Sequence, residues 1–136
     1  MNWKWFGKVH AAIYRLSGGR LGAKMGWIDV ALVTTIGRKS GQQRTAPIAC
    51  YPYKGSYAVS ASNSGQDRHP AWFLNMQSNP DVTVQVGSDR FNATAEVVAD
   101  EERDALWKII TEINSHQQDY LEQTSRKIPL VWLKRT

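Results

Sequence analysis

Two short stretches of the chain place side chains at spacings that suit chemistry. Thr34-Thr35-Ile36-Gly37-Arg38-Lys39-Ser40-Gly41, with Arg44 and Thr45 just beyond, gathers three cations and several hydroxyls at one turn. Glycines in such a turn let backbone N–H groups join the side chains around an anion, a cradle suited to phosphate or carboxylate. A solvated basic turn that only discourages edge pairing of strands is the plainer reading of the same residues. The second stretch is His69-Pro70-Ala71-Trp72-Phe73-Leu74-Asn75. A helix opening there would aim free N–H donors at an anionic or carbonyl-rich ligand, with Trp72 along a flat ring and Asn75 at its polar edge. The plainer reading makes Trp72 and Met76 core and lets Asn75 cap a neighbouring turn.

Other chemistries find less support. His10, His69 and His116 are far apart and never fall at metal-ligand spacing with Cys, Asp or Glu, so no metal is expected. His69, before proline, suits a cap or a loop hydrogen bond better than acid–base catalysis. Cys50 has no cationic neighbour in sequence and reads as a small buried apolar side chain rather than a reactive thiol. Gly18-Gly19-Arg20-Leu21-Gly22 is not preceded by a strand, as a dinucleotide-binding βαβ unit requires.

The elements that must position these residues follow from periodicity. Residues 3–17 suit a helix with Lys4, Lys8, Ala11 and Arg15 on one face and Trp3, Phe6, His10 and Ile13 on another. It reads equally as a core cap or, with Trp3 and Trp5, as an interfacial helix on an anionic membrane. The runs Val30 to Ile36 and Gln43 to Tyr51 predict a hairpin closed by the basic turn, and Tyr57 to Ser62 a third strand. Pro70 suits the first position of a short helix over 70–77, which Asn79-Pro80 ends. Alternation predicts two half-buried strands, Val82 to Val86 and Phe91 to Val97, joined by Gly87-Ser88-Asp89. Asp100 is the expected N-cap of a last helix with the stripe Leu106, Ile109, Ile110 and Ile113, and Ile128 to Leu133 the last strand. Hairpins with helices inserted between them argue for an antiparallel barrel or strongly curled sheet, mainly β with helices (α+β).

Composition agrees with one compact domain over 1–136: 136 residues, 42% hydrophobic and 21% charged. No segment approaches the roughly 20 apolar residues that span a bilayer, and the N-terminus lacks a signal-peptide pattern. With one cysteine and no internal disulfide, a cytoplasmic location is expected. The net charge of +5 is uneven: residues 1–48 carry eight Lys or Arg against one acid, Asp29, and the remainder nine against eleven. A pI near 9.5 raises a nucleic-acid module as an alternative, but the cations cluster in one turn and one helix rather than along strand faces among aromatics.

Arg15-Leu16-Ser17-Gly18-Gly19, Leu32 to Gly41, His69 to Asn75, Asn79-Pro80, Asp100-Glu101-Glu102-Arg103 and Arg126-Lys127-Ile128-Pro129 together resemble, in order and spacing, the deazaflavin-dependent nitroreductase and quinone reductase family. The resemblance implies a split β-barrel of the FMN-binding-like type and a bound coenzyme F420, an 8-hydroxy-5-deazaflavin. It gives Arg38, Lys39, Ser40 and Arg44, with Thr45 nearby, the phosphate and oligoglutamate tail. Ser60, Ala61 and Ser62 would run beside the ring, with Trp72 and Asn75 completing the pocket. Ser62 and Tyr120 are the candidate polar groups near the acceptor, a quinone such as menaquinone, an activated alkene or a nitroaromatic. Two departures stand out. Asn63 replaces a lysine frequent in relatives, and Asn114, Gln117 and Tyr120 stand where nitroimidazole-activating members carry several tyrosines, so nitroimidazole activation is not expected. An FMN-binding barrel and a non-catalytic deazaflavin carrier are the alternatives within this fold. No sequence feature sets an oligomeric state. Membrane contact, if any, falls to the N-terminal helix.

Overall fold

The computed structural model describes residues 24–25 and 28–136. The helix expected over residues 3–17, with Trp3 and Trp5, and the Gly18 to Gly22 stretch lie outside the described residues. In chain order the elements are β1 (Lys24–Met25), β2 (Ile28–Ile36), β3 (Gln43–Tyr53), β4 (Ser56–Ser60), a 3-10 turn (Asn63–Gly65), α1 (Ala71–Ser78), β5 (Asp81–Val86), β6 (Asp89–Val97), α2 (Asp100–Ile113), α3 (His116–Gln123) and β7 (Leu130–Arg135).

The strand order is β1-β2-β3-β4-β7-β6-β5, and β5 pairs back with β2. Every pairing is antiparallel. The result is a closed six-stranded barrel with β1 as an addition beside β2. Closure removes the unpaired edges that a sheet of this length would otherwise present. The antiparallel split barrel expected from the sequence is therefore the architecture observed.

The period of two along each strand divides the core into two layers. Ala31 and Val33 of β2, Ile48 and Cys50 of β3, Val59 of β4, Val82 and Val84 of β5, Ala93 of β6, and Val131 and Leu133 of β7 point inward, and Phe73 and Met76 of α1 join the same cluster. The opposite faces of β3, β4 and β7 supply Tyr51, Ala58 and Leu130, which Leu106 and Ile110 of α2 cover. Each fully buried Val, Leu or Ile contributes roughly 1.5–3 kcal/mol relative to exposure, so both layers matter to stability.

Several local expectations shift. Pro70 is the residue flanking α1 in extended conformation, not its first helical residue. Ala99 takes the corresponding place before α2; Asp100 is the first residue of that helix and its carboxylate pairs with Lys127. Leu106 and Ile110 are buried as expected, but Ile109 is 42% exposed, because the barrel contacts a narrower stripe than the apolar pattern spans. The third strand stops at Ser60, and Ser62 precedes the 3-10 turn. The short helix α3, whose polar sequence carries little apolar period, is an element the sequence reading did not separate.

Candidate functional site

The β2–β3 hairpin closes tightly. Gly37 N–H donates to Gln42 O at 2.7 Å and Gly41 N–H to Gly37 O at 2.8 Å. A Cβ on Gly37 would stand 2.7 Å from Ser40 Oγ and 3.2 Å from Gln42 O, and Gly41 has φ +71°, so both positions suit glycine for steric reasons. Arg38, Lys39, Ser40 and Arg44 are exposed on this turn. Ser40 Oγ accepts the Gln42 N–H at 3.2 Å, and Arg44 Nη1 donates to Gln42 Oε1 at 3.1 Å.

Asn75 locks this hairpin to α1. Its Oδ1 accepts from the Arg38 backbone N–H at 3.1 Å and from Arg38 Nη1 at 3.3 Å, while its Nδ2 donates to Thr35 Oγ1 at 3.1 Å. Asn75 and Thr35 are both buried, so the amide meets the need of a buried polar group for partners on both sides. Trp72, one turn earlier, is half-buried against the barrel core with its ring edge-on to Phe73 at 6.4 Å. The structure thus gathers Arg38, Arg44, Thr35, Trp72 and Asn75 toward one end of the barrel. Thr45 lies on the other face of the ladder: Arg44 pairs with Thr35, whereas Thr45 pairs with Thr34 through a 2.8 Å hydroxyl contact.

The hairpin charges differ from four lysines and arginines on the rest of the chain. Lys54, Lys127, Lys134 and Arg135 each face a carboxylate, from Glu102, Asp100, Glu96 and Asp89 respectively. No carboxylate among the described residues stands at ion-pair distance from Arg38, Lys39 or Arg44. Three cations without acidic partners at a glycine-bearing turn are equipped to donate charge-assisted hydrogen bonds to an anion.

Strand alternation also splits Ser60, Ala61 and Ser62. Ala61 belongs to the barrel core. Ser60 and Ser62 are buried as well, and Ser60 Oγ has no hydrogen-bond partner, the condition of a polar group that a bound ligand or water would satisfy. Arg126, in the segment before β7, holds the loop that follows. Its Nη2 donates to Ala61 O (3.0 Å) and Ser62 O (2.9 Å), its Nε to Gln66 O (2.9 Å), and its Nη1 to His69 Nδ1 (3.0 Å). Burial and the adjacent guanidinium push the His69 imidazole below its ordinary pKa, keeping it neutral as an acceptor; the expectation of a loop hydrogen bond is met. Asn63 sits in the 3-10 turn at φ +49° and donates to Arg68 O at 3.1 Å.

α3 packs on that turn so closely that a Cβ on Gly65, at φ +79°, would meet Gln123 Oε1 at 2.5 Å. Tyr120 is half-buried on α3. Beside it Asn114 Nδ2 donates to Tyr51 Oη at 3.1 Å, and the buried Gln117 Oε1 has no partner. Burial raises the Tyr51 phenol above its ordinary pKa, and Cys50 and Tyr120 add to the rise. Tyr51 is the member of this cluster that the sequence reading missed. Its signal was present in the alternation of β3, which puts Tyr51 on the face opposite Cys50. Cys50 itself is 1% exposed, and burial, reinforced by Asp29, pushes its thiol to about 12. It is core, as expected. No metal-binding group of His, Cys, Asp and Glu occurs among the described residues, and none of their helices is long and apolar enough to cross a membrane.

Comparison with known proteins bears on what this arrangement serves. The family model of the F420H(2)-dependent quinone reductases matches residues 5–135. An F420H(2)-dependent quinone reductase of Mycobacterium tuberculosis is 38% identical over 132 residues, covering 94% of this chain and 89% of its own. Among solved structures, an F420-H2 dependent reductase superposes with a TM-score of 0.69 at 37% identity, over 75% of this chain and 90% of its own. Another, a domain-swapped dimer, reaches 0.73 at 32% identity, over 90% and 94% of the two chains. With the match running through the basic hairpin, the His69 to Asn75 segment and the last strand, the chain belongs to the F420H(2)-dependent quinone reductase family.

Proposed function

We propose that this protein binds reduced coenzyme F420 at the hairpin end of its barrel and uses it to reduce a quinone. The observation that carries the reading is the clustering on one glycine-bearing turn of three cations, Arg38, Lys39 and Arg44, with no carboxylate among the described residues at ion-pair distance. An acidic phosphate and oligoglutamate tail is the complement of such a turn. The buried, unpartnered Ser60 Oγ fits the same picture, since a ring carbonyl or ring nitrogen would satisfy it. The family is defined by F420H2, so neither FMN nor a non-catalytic carrier role is favoured.

When bound, the deazaflavin supplies the hydride. The protein's part is to hold, orient and exclude water. Arg38, Lys39, Ser40 and Arg44 hold the tail, with Thr45 bracing the hairpin through Thr34. Asn75 fixes the Arg38 backbone and thereby the height of the hairpin over α1; Trp72 forms a flat wall. Ser60 and Ser62 border the ring, with Ala61 anchoring them to the core. Ser62 and Tyr120 supply hydroxyls toward the charge that develops on a quinone oxygen as hydride arrives, and Tyr120 is the proton donor. The acceptor is a quinone of the menaquinone class, with nitroaromatics and activated alkenes as poorer substitutes. The whole chain works as one domain in the cytoplasm, and its basic N-terminal sequence draws it to the inner face of the membrane, where such quinones dissolve.

Titration of the purified protein with F420, followed by fluorescence with FMN in parallel, tests the reading. Micromolar or tighter binding of F420 alone, with turnover of menadione by F420H2, is expected; preference for FMN, or binding of neither, would end it.

A further inference from the structure

The least expected feature of the site is the environment of Arg126. A single guanidinium spends its donors on three backbone oxygens, Ala61 O, Ser62 O and Gln66 O, and on one imidazole nitrogen, His69 Nδ1, all between 2.9 and 3.0 Å. Those acceptors span the whole connection from the end of β4 to the start of α1. That connection passes through two residues in the left-handed region, Asn63 at φ +49° and Ser64 at φ +55°, a conformation that needs outside support in non-glycine residues. Arginine's planar fork can address several acceptors in one fixed geometry, whereas lysine's ammonium is a point charge.

We propose that Arg126 is a positioning residue of the reductase: it holds the 61–69 loop so that Ser62 and α1 stand in fixed relation to the bound coenzyme, with His69 as a neutral partner in that hold. The inference rests on the reading that F420 occupies this end of the barrel. The arrangement makes the hold sensitive to acid. His69 can accept from Arg126 only while its Nδ1 lone pair is free; on protonation it becomes a second cation against the guanidinium.

The surrounding charges do not offset this. Asp67 acts on Arg126 electrostatically and accepts from Thr124 Oγ1 at 2.7 Å, Arg68 is exposed, and α1 carries no ionisable side chain and meets the imidazole through Phe73, ring centroids 5.0 Å apart. The folded-state value of His69 is lowered from 6.5. The contact is therefore intact above that ordinary value, and it is lost as pH falls from there through the lowered one.

The test uses full-length protein with Arg126→Lys and His69→Gln. In apo-protein, Arg126→Lys should raise amide hydrogen exchange across residues 61–69 at least tenfold and leave β2 and β3 unchanged; wild-type exchange in the loop would overturn the inference. With F420H2 and menadione, Arg126→Lys should lower kcat at least tenfold with KM for the quinone nearly unchanged. A proportional rise in KM with kcat intact would also overturn it. Wild-type kcat should fall on the acid side of pH 6.5, and His69→Gln, whose amide oxygen accepts the same bond without taking up a proton, should lose that limb; an identical acid limb in the variant removes His69 from the hold. Wild-type protein that binds no F420 would instead count against the functional reading, and the exchange measurement then decides the loop-holding role by itself.

Discussion

Replacing Asn75 with alanine should both destabilise the barrel and weaken coenzyme binding, and its size can be worked from the contacts. The substitution removes three hydrogen bonds, two accepted from Arg38 and one donated to Thr35. A net hydrogen bond is worth about 0.5–1.5 kcal/mol, and a buried group left unpaired costs about 1–3 kcal/mol. Thr35 is 1% exposed and loses this partner, whereas Arg38 is exposed and water replaces much of what it loses. The expected loss is therefore about 2–4 kcal/mol, near 10 °C in Tm for a chain of this size. Urea unfolding measures it as a lower midpoint at constant m. A cycle with Arg38→Ala sharpens the assignment. Alanine at 38 keeps its backbone N–H, so the cycle isolates the guanidinium bond and should give a coupling of about 1 kcal/mol. Because the hairpin is no longer pinned to α1, F420 affinity should drop in Asn75→Ala as well. A stability loss under about 0.5 kcal/mol would refute the idea that this amide ties the hairpin to the helix, and unchanged F420 affinity would refute its bearing on the site.

Other expectations are more compact. Arg38→Ala combined with Lys39→Ala should weaken F420 binding by about 2 kcal/mol, roughly 30-fold in Kd, as read by fluorescence titration; unchanged affinity would remove the basic hairpin from the site. Tyr120→Phe should lower kcat about 100-fold while coenzyme affinity holds, the range expected when a positioned proton donor is lost; wild-type turnover would end that role. Cys50, buried and with its thiol pushed to about 12, should resist iodoacetamide at pH 8 in folded protein and react only after urea unfolding. Labelling of the native protein at the rate of a free thiol would contradict its place in the barrel core.

Much of the architecture is legible because it depends on local pattern. The hairpin between β2 and β3 follows from two β-branched runs around a glycine-bearing turn, and β5 and β6 from strict alternation around Gly87. Where local signals compete, legibility fails. Asp100 has the chemistry of a cap, yet Ala99 flanks the helix and Asp100 turns to Lys127 from the segment before β7, a partner 27 residues away. Ile109 fits an apolar helical stripe, but only the part facing Tyr51, Ala58 and Leu130 finds cover. α3 escapes because it is held by the 3-10 turn and the Tyr51 cluster rather than by an apolar face of its own.

The site divides along the same line. Residue types and spacing alone offered an anion cradle at Arg38 to Arg44 beside the plainer reading of a solvated turn, since charge and glycine placement are local properties, and the resemblance in order and spacing joined the His69 to Asn75 segment to it. Only the closed barrel decided which residues share a face. It set Arg44 beside Thr35 and Thr45 beside Thr34, turned Asn75 into a brace for Arg38, and brought Arg126 to a loop more than fifty residues earlier in the chain. Such contacts depend on strand register and on the path of the chain between elements, and no periodicity encodes a partner that lies across the fold.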